Sequence, residues 1–227
     1  MYKKITHNIV EEHFAHPLAA QLKKQIDKTK PLPPKNKESL AGSLDLDAHK
    51  LFNKLYWGVR NYVVSALGPN DDSTILIKTT LLKDVLEFAP FFSAYYPTTV
   101  GTAVVSHLTG FVNSVTDVVQ AARSGKDFTA PLATTRGHLD ALAGVISAAN
   151  PTSWPEPTVK SLLHEYLMKV VDQIIARTKK DWKADLEAAT LAHNVLTTGP
   201  ISFGTLKGNP DFTCVLVNGI RDQFPTK

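Results

Sequence analysis

"SWPEPTVKSLLHEYLMKVVDQIIART", residues 153–178, is the stretch that decides the fold class. Ser153 offers an N-cap hydroxyl, Pro155 falls in the first turn, and Glu156 stands three residues after the serine as a capping-box partner. Leu163, Tyr166, Leu167, Val170 and Ile174 then recur at helical spacing, and His164, Met168, Val171 and Ile175 form a second apolar stripe beside them. Only Ser161, Glu165, Lys169 and Asp172 make a polar strip. A helix with so wide an apolar arc belongs near the centre of a bundle.

The neighbouring segments repeat this pattern. Leu44, Leu51, Leu55, Val59, Tyr62 and Ala66 lie along one stripe, which "GPNDDS" stops. Ser73 is positioned to cap "TILIKTTLLKDVLEFA", and Pro90 is positioned to end it. "FFSAYYPTT" reads as an aromatic connector across the bundle. Val104, Leu108, Phe111, Val115 and Val118 form the next seam, with Gly125 as its C-terminal stop. An alanine-rich helix runs to Asn150–Pro151. After residue 178, "KKDWKADLEAATLAHNV" places Trp182, Leu186, Ala189, His193 and Leu196 on one face. A Gly/Pro-rich loop over 197–210 and a closing helix, "FTCVLVNGIRDQF", complete the chain. No stretch alternates with period two. The expectation is an all-α, up-and-down bundle of about six helices over residues 43–227, preceded by an N-terminal arm over 1–42.

Composition narrows the function. The chain has 227 residues, 43% hydrophobic and 20% charged, as an ordinary globular protein does. Its one cysteine, Cys214, excludes an internal disulfide and any multi-cysteine zinc site. No apolar run nears the roughly 18 residues that span a bilayer, and the charged start lacks a signal-peptide core. A cytoplasmic location is expected. The formal charge of +4 resides in the arm, where eight lysines face Glu11, Glu12, Asp27 and Glu38. Such an arm can solubilise the chain or touch nucleic acid or another anionic surface, but no arginine or aromatic residues interleave the lysines. "KTKPLPPKNKESLAGS", residues 28–43, reads as an extended linker.

Several stretches together resemble a family of uncharacterised bacterial helical proteins found in spore-forming soil bacteria. They are "RNYVVSALGPNDD", "AYYPTTVG", the histidine of "VVSHLTGFV", "AANPTSWP", "KDWKADLEAATLAH" and "NGIRDQFP", in that order. Members of that family are often labelled kinases or glycosyltransferases, with no established activity behind the label. The resemblance implies an all-α bundle with interior histidines on several helices. His107, Asp181, Trp182, Asp185 and His193 match it. A histidine expected in the first long helix is replaced around Leu55, and the one expected in the 153–178 helix falls at Tyr166, with His164 two residues away. Val195 stands where a partner is expected after His193, and the 197–210 loop interrupts a helix. If members of that family hold a metal or ligand, these departures imply that the site is altered or lost here.

Catalytic motifs are missing from the sequence: no Glu-x-x-His pair, no Gly-x-Ser-x-Gly elbow, no P-loop and no dinucleotide fingerprint. Two readings remain. One is a non-enzymatic interaction or assembly protein, contacting a protein partner or a second copy through the arm and the aromatic connector. The other is a bundle binding a transition metal or small ligand through His107, Asp185 and His193, with His164 or Tyr166 contributing. Each histidine, and His138 with them, reads equally as a hydrogen-bonded residue of the helix interfaces. "HFAH", His13 and His16, has the spacing of a helical metal pair but lies in the arm.

Overall fold

The computed structural model describes residues 37–68, 72–198 and 211–224, and every regular element among them is helical. In chain order these are α1 (Lys37–Ala66), α2 (Asp72–Leu86), α3 (Phe88–Ser93), α4 (Thr98–Arg123), α5 (Thr129–Ala149), α6 (Glu156–Thr178), α7 (Trp182–His193) with a π-helical turn (Asn194–Thr198), and α8 (Phe212–Gln223). The fold is an all-α bundle. The chain divides into two units, Met1–Pro34 and Lys35–Lys227. The arm with His13 and His16, and most of the 197–210 loop, lie outside the described residues. No described helix is long and apolar enough to cross a membrane.

Consecutive long helices pack against one another, and side-chain contacts give their direction. Lys54 meets Asp84 at 3.2 Å while Ser65 meets Thr74 at 2.8 Å, so α1 and α2 run antiparallel. Asp140 to His164 (2.7 Å) and Arg136 to Met168 (3.9 Å) do the same for α5 and α6. The predicted stripes of α1 and α4 are buried along their whole length, as is the Leu163–Ile174 stripe of α6. Tyr166, Phe111, Phe52 and Phe212 close around a central void of about 10 Å³, the size of one water molecule.

Four local expectations are corrected. First, α1 begins at Lys37, inside the segment read as linker; beyond Pro34 no proline remains to remove a backbone donor, so a helix can form there. Second, α6 starts at Glu156 with Pro155 at its N-cap and no side-chain cap, because Trp154 and Asn150 are drawn inward instead. Third, α2 ends at Leu86, and Pro90 lies within α3, in whose first turn its missing N–H leaves no bond unmade. Fourth, Trp182 and Leu186 of α7 are exposed, at 58% and 65%, while Asp185, Ala188, Ala189 and Ala192 face inward. Gly125 does stop α4: it takes φ +64°, and Lys126 N–H closes the turn onto the Ala121 carbonyl at 2.9 Å.

The α5–α6 connection plugs into α8. Trp154 is fully buried, its Nε1 donating to the Val215 carbonyl at 3.0 Å, while Asn150 Nδ2 donates to the Gly219 carbonyl at 2.7 Å. Only glycine permits this approach, since a Cβ at position 219 would lie 2.0 Å from Trp154 Nε1. Gly219→Ala should therefore lower stability by about 2 kcal/mol, the usual scale for overpacking, read as a fall in the denaturation midpoint. Tyr166 tests the opposite sign. Its hydroxyl is buried without a partner, and burial holds its pKa far above the ordinary tyrosine value. Tyr166→Phe should raise stability by about 1 kcal/mol by removing an unpaired polar group, with an unchanged helical circular dichroism spectrum.

Candidate functional site

The junction before α7 explains how that helix is aimed. Lys180 adopts φ +58°, and Asp181 N–H reaches back to the Ala176 carbonyl at 2.9 Å, which ends α6 in a tight left-handed turn. The Asp181 carboxylate then accepts from Ala184 N–H at 3.0 Å and caps α7. From this start α7 runs antiparallel to α1, fixed by three contacts. Arg60 meets Asp185, Tyr56 OH donates to the Ala189 carbonyl at 2.9 Å, and His193 Nε2 lies 2.8 Å from Asn53 Oδ1.

Asp185 is the centre of this seam. Its carboxylate is buried and takes a two-pronged contact from Arg60, with Nη2 at 2.8 Å from Oδ2 and Nη1 on Oδ1. Arg177 Nη1 reaches the same Oδ2 at 2.7 Å, and Arg60 Nη1 also donates to Gln173 Oε1 at 3.2 Å. Burial pushes the Asp185 pKa up, but the hydrogen bonds and charges of Arg60 and then Arg177 outweigh it and hold the carboxyl below its ordinary value. The Arg177 guanidinium also lies 5.3 Å from the Trp182 ring centre, a cation–π contact on the solvent side. The ion triad thus ties α1, α6 and α7 together.

The predicted ligand set does not converge. Asp185 belongs to two arginines. His193 bonds Asn53 and packs against Tyr56 and Trp57, with ring centres 4.6 and 6.2 Å away. Burial lowers its pKa, partly offset by the Asp211 charge. His164 pairs with Asp140 at 2.7 Å on the α5–α6 face. His107 sits beside His138, ring centres 6.5 Å apart, on the α4–α5 face. Among the described residues no group of three or more histidine, cysteine or acidic side chains could hold a metal ion. Cys214 is half-buried near the start of α8. Burial and Asp211, to which its thiol donates at 3.6 Å, push it up to about 11 and keep it protonated.

Sequence reasoning missed Arg60 and Arg177, although an aspartate inside an apolar helical face is itself a signal that a cation must meet it. It also missed the surface that this arrangement creates. Trp57 on α1 is 52% exposed, with its ring centre 6.2 Å from that of His193 on α7, and Trp182 and Leu186 of α7 are exposed as well. Comparison with known family models, curated proteins and solved structures finds no match for this chain.

Asp185→Ala leaves two half-buried guanidiniums without a counter-charge and should destabilise the fold by about 3 kcal/mol. The folded carboxyl titrates below the unfolded one, so its contribution is complete above pH of about 4 and disappears as pH falls through the folded value. The stability gap between the native chain and Asp185→Asn, followed by denaturant titration from pH 7 downward, should therefore narrow below that point.

Proposed function

We propose that this chain is a non-enzymatic interaction protein with an assembly role, and that the α1–α7 seam is its contact surface. The supporting observation is the exposure of Trp57 on α1 and of Trp182 and Leu186 on α7, the two helices that form the seam, at 52%, 58% and 65%. Tryptophan is ordinarily among the more buried residues, and exposed tryptophans beside arginines are the usual energetic centres of protein interfaces. The platform beneath them is rigid, because the Arg60–Asp185–Arg177 triad fixes both flanking helices. A preordered surface of this kind binds without the entropic cost of arranging itself. The aromatic connector contributes little to this surface: Phe91, Phe92 and Tyr96 are buried and Tyr95 is half-buried. The first partner to test is a second copy of the chain.

Trp154 is fully buried, so Trp57 and Trp182 are the tryptophans whose emission can report contact. Sedimentation and fluorescence of the full chain across a dilution series should show a larger species at high concentration, with emission moving to longer wavelength as it dissociates. The Trp57→Ala, Trp182→Ala double variant should sediment as a folded monomer throughout. A native monomer with invariant emission at every concentration would refute the assembly reading.

A further inference from the structure

We propose that His107 and His138 form a two-imidazole site for a borderline divalent cation, Zn(II) or Cu(II), on the face between α4 and α5. The two rings come from neighbouring helices, both half-buried, with centres 6.5 Å apart and planes inclined at 47°. Unlike His164 and His193, neither makes a hydrogen bond to any other described residue. The chain also makes room for the pair. His138 lies directly on the α4 backbone at Gly110, one turn after His107, where a Cβ would stand 2.3 Å from its Cε1 and 2.4 Å from its Nδ1. A side chain at position 110 would push the imidazole away from its neighbour.

The spacing suits a shared ion. With metal–nitrogen bonds of about 2.0–2.1 Å, and about 1.1 Å from nitrogen to ring centre, two imidazoles on one ion have centres about 5.2 Å apart at a tetrahedral angle and about 6.4 Å in line. The observed separation of 6.5 Å therefore closes by about 1.3 Å for a tetrahedral ion and by about 0.1 Å for a linear one, with metal–nitrogen bonds of that length, within reach of side-chain rotation. Burial and the neighbouring His138 both lower the His107 pKa, which favours the neutral, ligating form near neutral pH. Imidazole nitrogens select Zn(II), Cu(II) and Ni(II) over Mg(II) and Ca(II), and water completes the coordination of an ion held by two protein ligands. This site shares His107 with the ligand set expected from the sequence but not Asp185, His193 or His164, and does not depend on the assembly reading.

The test uses the full chain with His13→Gln and His16→Gln, which removes the arm's own histidine pair. On titration with zinc chloride in a non-chelating buffer, calorimetry should give one equivalent bound. Long-range ¹H–¹⁵N spectra should show the ring nitrogens of His107 and His138 moving together and saturating at that equivalent. His107→Asn and His138→Asn should each weaken binding by about tenfold or more, while His164→Gln leaves it unchanged. Gly110→Ala keeps both ligands and should also weaken binding, by displacing the His138 ring. An absence of heat and of spectral change overturns the proposal, as do shifts at other histidines with these two still.

Discussion

The buried carboxylate of Asp185 is the constraint on which the α1–α7 seam depends. An isolated charge there would be expensive to desolvate. Two guanidiniums, from Arg60 on α1 and Arg177 on α6, answer it. Meeting both fixes the rotation of α7 about its own axis: Ala188, Ala189 and Ala192 turn inward, and Trp182 and Leu186 turn outward. Small inward residues permit close helix packing, while the large outward ones are left to solvent. One ionic requirement therefore sets both the internal contact and the exposed surface.

Much of the fold is legible in the sequence because bulky apolar stripes have one destination. Leu51, Leu55, Val59 and Tyr62, or Val104, Leu108 and Phe111, are buried wherever a helix carries them, so periodicity alone finds their face. The same rule misplaces α7. Counting Trp182 and Leu186 as inward beside Ala189 gives a plausible stripe, yet the face that turns inward joins Ala189 to Asp185, Ala188 and Ala192. What decides between them is Arg60, 125 residues away from Asp185 in the chain, and no local pattern carries that information. The helix starts fail for a related reason: Ser153 is a good cap on local chemistry, but Trp154 and Asn150 are pulled toward α8.

The histidines show the same limit more sharply. Four of them lie on four helices at positions that allow convergence, and spacing within a helix cannot say whether they meet. They do not meet as a group. His193 has Asn53 and His164 has Asp140, so hydrogen bonding within the protein accounts for both. His107 and His138 lie side by side without such partners, and the signal for their approach is Gly110 of α4, against which His138 packs, rather than any histidine spacing. A motif search built on ligands would pass over it.

Other stretches of the chain also sort by this criterion. Asn150 and Trp154 meet Gly219 and Val215 in α8, and Arg60 meets Asp185. Tyr96 packs on Trp154 with ring centres 5.6 Å apart. These residues answer one another, and folding explains them in full. Trp57, Trp182 and Leu186 are different, since each stays more than half exposed in the folded chain. His107 and His138 are different in a second way, because two adjacent unpaired imidazoles strengthen neither helix. Where local choices conflict with what a stable fold requires, function is the usual reason.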